Sequence, residues 1–359
     1  MNGAEIEQAI GKGIDFLYQE QLANGEFVCY LSNNEQIKQY NLREKGWFRK
    51  ESTVFPTLLI GSSLLFLEEK PTVETILVKI TKFLLEQEND GVWGHYTKSH
   101  PLHIIAPFDA DDTACACALL KRRNIVKPGI AALLLSNRNK KQLFFTWFSL
   151  RRKLNFNPLY LRIALSELKH PVKSFFFWRK FSCERNDVDA VVNANILYYI
   201  GKSDAVMPVI NYLINVIAEA REEECDKWYK NPFTIYYFIS RNYYSGIDEF
   251  EQIKPIIAER ITATLKYDGS FGNSVLDSAL SVCTLLNFGL PVKKDSVNFL
   301  MKEQNDNGSW KRRIFYYGGP QKTVGWGSEE LTTALCLEAL ARYMSTAETD
   351  PLLKRQSAP

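Results

Sequence analysis

The sequence predicts an all-α fold, a single (α/α)6 toroid of six inner and six outer helices. Three observations predict it. First, segments 9–27, 76–93 and 292–310 share one design: an amphipathic helix ending in Gln, a polar turn with Gly, then an aromatic residue, as in LLEQENDGVW and MKEQNDNGSW. A fourth segment, 256–271, keeps the Gly turn and the aromatic but lacks the Gln. Second, the segments between them are evenly apolar and rich in small residues. Third, no convincing set of paired strands appears. Helices apolar on most faces are buried, and helices with one apolar face cover them. Strict alternation of the two kinds closes naturally around a central cavity.

Taken in order, outer helices are expected near 4–22, 72–88, 128–150, 204–222, 250–266 and 292–304. Inner helices are expected at 52–67, 109–122, 187–200, 232–242, 275–288 and 328–343. Apolar residues at i, i+3, i+4 and i+7 give each outer helix one adhesive face. Asp-Gly or Asn-Gly then stops the helix, because glycine accepts positive φ. Ser52, Asp109, Asp187 and Ser328 stand where inner helices begin and are residue types that cap free N–H groups. The third unit is elongated, around 128–185, and its stretches KKQLFFTWFSLRRK and KSFFFWRKF set large rings beside Lys and Arg. The plainer reading is an extra helical pair packed on the toroid; the other is a lid or a peripheral membrane contact. The toroid is expected to span 1–348, with 349–359 a flexible tail.

Composition narrows the function classes. Apolar residues make up 46% of the chain and charged residues 24%, which is globular, not disordered. The net charge of +3 gives no reason to expect nucleic acid. Seven cysteines, at 29, 115, 117, 183, 225, 283 and 336, are an odd number and read as reduced thiols of a cytoplasmic protein. The first 20 residues carry Glu, Lys and Asp in a helical pattern, unlike a signal peptide. There is no apolar run of membrane-spanning length. His95, His100 and His103 cluster in a loop, where solvated side chains are expected in preference to a metal site.

The chemistry concentrates in APFDADDTACACALLKRR, 106–123, with Asp109, Asp111 and Asp112 at the mouth of an inner helix. The helix dipole and free N–H groups account for one or two acidic residues there. Three beside an apolar run cannot all ionise cheaply when buried, so at least one should hold its proton near neutral pH. A protonated carboxylic acid at the end of a ring-lined pocket is a Brønsted acid able to protonate an alkene or an epoxide. Aromatic faces would steady the resulting cation. Candidate linings are Trp47 and Phe48, then Trp228, Tyr229, Phe233, Tyr236 and Tyr237, and Tyr316, Tyr317 and Trp326.

DADDTA at 109–114 resembles the D-x-D-D-T-A motif of class II terpene cyclases, including squalene–hopene cyclases. The pairs Gln87 with Trp93 and Gln304 with Trp310 resemble that family's Q-W repeats. The resemblance implies that Asp111, the middle aspartate, delivers the proton and that Asp109 and Asp112 tune and orient it. Asn195 falls where a squalene–hopene cyclase carries its acid-supporting His, and Asn193 is the neighbouring candidate. An Asn amide can donate to an acid's acceptor oxygen while staying neutral. Asp187 and Asp189 read as helix-start residues. The implied reaction is protonation-initiated cyclisation of a linear isoprenoid, needing no cofactor for the protonation. A prenyl diphosphate substrate would bring basic contacts such as Arg49 and Lys50, and Mg²⁺, into play. The alternative substrate is neutral, squalene-like or a prenylated aromatic.

Full-size members of that family usually form the chamber between two or more helical domains. Here it would lie in the toroid's own funnel or be completed by a second subunit or homodimer. Protein prenyltransferase β subunits share the toroid, but their zinc needs a late His, and this chain has none after His170. No metal site is therefore expected. A non-catalytic isoprenoid-binding, lipid-binding or scaffold protein is the competing reading.

Overall fold

A computed structural model describes residues 3–33, 48–152, 155–180, 183–318 and 323–349. Trp47 and the tail beyond Thr349 lie outside the described residues. The chain is all-α, with helices α1 (Gly3–Glu20), α2 (Val54–Leu64), α3 (Pro71–Gln87), α4 (Ala110–Arg122), α5 (Ile130–Ser136), α6 (Pro158–Leu165), α7 (Pro171–Lys180), α8 (Ala190–Ile200), α9 (Met207–Ala218), α10 (Pro232–Tyr244), α11 (Lys254–Thr262), α12 (Val275–Asn287), α13 (Lys294–Lys302) and α14 (Glu329–Thr349). The inner helices pack in sequence, α2 on α4, α4 on α8, α8 on α10, α10 on α12 and α12 on α14, and α14 returns to α2. Their composition explains the position: every residue of α12 is buried. By contrast, α1 buries one stripe, Ile6, Ala9, Ile10, Gly13, Ile14 and Leu17 among it.

The repeated turns have a specific task. Gly308, after α13, has φ +88, and a Cβ there would lie 2.2 Å from the Lys12 carbonyl oxygen of α1. Gly25, after α1, meets Lys79 of α3 in the same way. Only a residue without Cβ lets the turn lie on the next outer helix. The aromatic after each turn donates its backbone N–H to a hydroxyl on an inner helix: Phe27 to Thr57, Trp93 to Thr113, Phe271 to Ser278 and Trp310 to Thr333. The Trp93 and Trp310 indoles donate back to Leu84 and Leu300. Gln304 bridges to the Ala9 carbonyl, joining last unit to first. Gln87 breaks the pattern and accepts from the Lys98 N–H.

Three expectations require correction. Residues 137–150 do not continue the outer helix, which ends at Ser136. Asn139 accepts from the N–H groups of Lys141 and Leu143, and Gln142 takes φ +61, so local turn chemistry overrides the apolar periodicity. Strands are also present: β1 (Cys29–Ser32), β2 (Phe48–Glu51), β3 (Phe108–Asp109), β4 (Trp147–Phe148), β5 (Tyr316–Tyr317) and β6 (Gly325–Gly327). They form a sheet ordered β2-β1-β6-β5 and a separate antiparallel β3–β4 pair, all too short to show alternation in sequence. Finally, Ser52 and Asp187 do not cap helices. The α2 cap position is Thr53 and the α8 cap position is Asp189, neither with a side-chain cap bond. Asp109 does cap α4, and Ser328 accepts from the Leu331 N–H of α14.

Candidate active site

The N-terminal ends of α2, α4 and α8 and the loops entering α10 and α14 surround a narrow cavity, partly open to solvent. Its wall comprises Phe55, His95, Tyr96, Ala106, Asp109, Asp111, Asp112, Thr146, Trp147, Phe177, Val192, Trp228, Tyr229, Tyr316 and Trp326. The short strands explain how loop residues reach it. Asp109 pairs with Trp147 across β3–β4, and Tyr316 with Trp326 across β5–β6.

The aspartates occupy three different environments. Asp109 ends β3, and its Oδ1 accepts the Asp111 N–H at 2.6 Å. Asp111 receives the Asn195 amide on Oδ1 at 2.7 Å and the Tyr229 hydroxyl on Oδ2 at 3.3 Å. Behind Asn195, the Arg241 guanidinium donates to the amide oxygen at 3.4 Å. Asp112 Oδ1 is buried without a hydrogen-bond partner among the described residues.

Burial pushes all three carboxyls up. For Asp109 and Asp112, like charge from the neighbouring aspartates adds to burial, and both sit well above the usual carboxylate range. Asp111 rises only to about 6, because Asn195, Tyr229 and Arg241 oppose the burial effect. The middle carboxyl is thus the strongest acid of the three and the one whose conjugate base is best held. Asp189 also rises to about 6, and it accepts from the Thr146 hydroxyl and the Lys227 N–H.

Of the aromatic candidates, Trp228, Tyr229, Tyr316 and Trp326 line the cavity, and Tyr317 does not. Phe233, Tyr236 and Tyr237 do not: Tyr236 donates to Glu222, Tyr237 to Glu338, and Phe233 packs on Tyr236. Asn193 is likewise no lining residue; its amide pairs with the Phe144 backbone and the Asp189 carbonyl. Arg49 and Lys50 lie exposed on β2, and Arg49 is paired with Glu51, so neither reaches the cavity wall.

The expectation of solvated histidines is overturned by His95. Its ring lies edge-on to Tyr96, Tyr316 and Trp326 at centroid distances of 4.8, 5.5 and 5.1 Å. Burial pushes it down to about 3, so it is neutral. His100 pairs with Glu51 at 2.7 Å, and His103 bonds the Tyr96 carbonyl. Among the described residues no group of three or more His, Cys, Asp or Glu is placed to hold a metal ion. All seven cysteines are buried and unlinked.

Sequence reasoning missed Phe55, His95, Tyr96, Thr146, Trp147 and Phe177 as wall residues. The basic, ring-rich stretch 171–180 forms α7, which faces two ways. Phe177 lines the cavity, whereas Phe175 and Phe176 are exposed to solvent. The extra helices α6 and α7 account for the elongated third unit. No helix among the described residues is long and apolar enough to cross a membrane.

No protein-family model matches the sequence, and no curated protein matches it. Solved structures do. A protein from Actinoplanes superposes with TM-score 0.65 at 16% identity, covering 94% of this chain and 99% of that one. The type II terpene cyclase MstE from Scytonema, apo, gives TM-score 0.65 at 13% identity over 95% of this chain and 98% of its own. The chain has a type II terpene cyclase-like fold. In a second structure a single-substitution variant of MstE is in complex with geranylgeranyl dihydroxybenzoate as substrate, with TM-score 0.65, 13% identity, and 96% and 98% coverage.

Proposed function

We propose that the protein is a class II cyclase that converts a linear isoprenoid into a cyclic terpenoid by protonation. The observation that carries this reading is the buried Asp111 carboxyl, held by Asn195 and Tyr229 at the wall of an aromatic cavity. The fold shared with MstE, a cyclase of a prenylated substrate, supports it.

In this reading Asp111 transfers its proton to a terminal alkene or epoxide. The π pair of the alkene, or a lone pair of the epoxide oxygen, forms the new bond to hydrogen. The carboxylate left behind is stabilised by the Asn195 amide, the Tyr229 hydroxyl and the nearby Arg241 charge. Neighbouring double bonds close rings onto the cation, which the faces of Phe55, Trp228, Tyr316 and Trp326 steady by about 0.5–2 kcal/mol per ring. The reaction ends when a C–H bond beside the cation breaks, its electron pair forms an alkene, and the proton passes to a neutral acceptor. His95 is the acceptor assigned here. A carbocation is so strong an acid that a weakly basic imidazole suffices. Protonation of the alkene requires no metal. The exposed Phe175 and Phe176 would rest on a membrane from which the substrate enters. Flotation with phosphatidylcholine vesicles that survives replacing both by Ser would sink that part.

The decisive test is incubation of the purified protein with farnesyl and geranylgeranyl diphosphates, squalene and a geranylgeranylated phenol. Products are read by mass spectrometry, directly and after phosphatase. A cyclic product that disappears in Asp111→Asn is expected. Turnover that survives Asp111→Asn would overturn the mechanism. Tight isoprenoid binding by a folded protein with no turnover of any member would favour the binding-protein reading.

A further inference from the structure

The wall of the cavity carries more polar demand than the cyclase chemistry uses. Three indole N–H groups, of Trp147, Trp228 and Trp326, are buried and have no hydrogen-bond partner among the described residues. All three rings line this one cavity, with Trp147 and Trp228 edge to face at 5.5 Å. An indole nitrogen is a donor only, and a buried donor left unsatisfied is costly. Three donors around one ligand cavity call for acceptor atoms on the ligand.

The same wall is hostile to anions. None of its fifteen residues is Lys or Arg. Three of them are aspartates, and Asp189 and Asp226 lie just behind. Helix N-termini, the usual alternative for holding a phosphate, also converge here. Several of their leading N–H groups are already taken. Val54 donates to the His95 carbonyl, Ala190 to the Cys225 carbonyl, Asp111 to Asp109 and Val191 to Asp226. Arg49 is committed to Glu51, and Lys227 to Asp187. A diphosphate entering the cavity would lose its hydration and meet carboxyl groups and rings, with no Lys or Arg of the wall to balance its charge.

We infer that the isoprenoid taken by this cavity bears an uncharged head group with hydrogen-bond acceptor oxygens, such as a phenol or quinone, and not a diphosphate. This rests on the isoprenoid reading proposed above and settles its substrate class. Trp147 and Trp228 hold the head-group oxygens, and the aromatic walls hold the chain.

The test separates head-group choice from turnover by using chains that cannot be protonated. The full-length protein is titrated with three saturated twenty-carbon chains, carrying a hydroquinone, a diphosphate or no head group. Binding is read by tryptophan fluorescence and calorimetry. The hydroquinone is expected to bind at least about tenfold tighter than either other ligand, the worth of one or two buried hydrogen bonds. Trp228→Phe, or Trp147→Phe should the first fold poorly, is expected to remove that margin, so that within the variant the hydroquinone binds no tighter than the bare hydrocarbon. A diphosphate that binds as tightly as the hydroquinone overturns the inference, as does a hydroquinone no tighter than the hydrocarbon. Binding of the diphosphate together with Asp111-dependent turnover of geranylgeranyl diphosphate would leave the cyclase reading standing and sink only the head group. Binding of none of the three overturns the isoprenoid reading as well.

Discussion

Asn195 and Asp111, 84 residues apart in sequence, meet side chain to side chain at 2.7 Å, with the amide as donor. The geometry has a definite sign. A donor to the carboxylate favours the ionised form and makes the acid stronger. Removing it raises the carboxyl further above its ordinary range. Under the proposed mechanism Asp111 must be protonated to act, so kcat/KM should fall about tenfold per pH unit above the carboxyl's value of about 6. Asn195→Ala is expected to lower maximal kcat by about 10–100-fold, since a weaker acid and a less stabilised conjugate base both slow proton transfer. Its alkaline limb should move to higher pH. A pH–rate profile whose limb stays in place would show that Asn195 does not act on the acid.

Asp112 makes a different prediction, about stability. Its carboxyl is buried, lacks a partner on Oδ1 among the described residues, and is raised by burial and by Asp109 and Asp111. The unfolded chain ionises near the usual value while the folded chain keeps the proton. The unfolded state therefore binds fewer protons, and stability declines as pH rises from about 4 toward the folded value. Asp112→Asn cannot ionise and escapes this loss. It should melt higher than the native chain at pH 8, with the difference shrinking as pH falls toward 4. Parallel melting curves across that range would contradict the assignment.

How far the sequence was legible follows from the kind of residue involved. Asp109 and Asp111 sit at the start of an inner helix whose apolar pattern is unambiguous, whereas the resemblance to squalene–hopene cyclases, and not spacing, put Asn195 beside them. Trp147 fell within the expected outer helix 128–150, which in fact ends at Ser136, and His95 sits in a connection. Trp147 is carried to the cavity by a two-residue strand paired with Phe108 and Asp109. His95 is carried there by the loop after α3, in which Val54 donates to its carbonyl. Tyr236 and Tyr237 failed for the opposite reason. Their helix was foreseen, but an aromatic in an all-buried helix can face a neighbouring carboxylate as readily as the cavity, and these face Glu222 and Glu338.

The closing proton transfer gives the third prediction. His95 offers a neutral imidazole whose Nε2 lacks a partner among the described residues, within a wall of rings. Replacing it with Phe keeps the aromatic packing and removes the acceptor. His95→Phe is expected to retain turnover within about tenfold, because initiation at Asp111 is untouched. The product should change to a mixture of alkene isomers or a water-captured alcohol. An unchanged product from the variant would assign the final proton to another acceptor.

The last prediction concerns what holds the first and last units together, and it uses two glycines with similar backbone angles. Gly308 has φ +88, and its Cβ position is blocked by the Lys12 carbonyl oxygen at 2.2 Å. Gly129 has φ +80, with nothing within 4 Å of the same position. Both substitutions to Ala incur the left-handed conformation, about 1–2 kcal/mol. Only Gly308→Ala must also push the turn off α1. That movement would strain the bond from Gln304 to the Ala9 carbonyl and the seat of Trp310 on Thr333. Gly308→Ala should therefore cost at least about 2 kcal/mol more than Gly129→Ala in urea unfolding. Equal losses would mean that the turn can slide along α1 and that closure between chain ends rests on α14 against α1 and α2 and on the β1–β6 pairing.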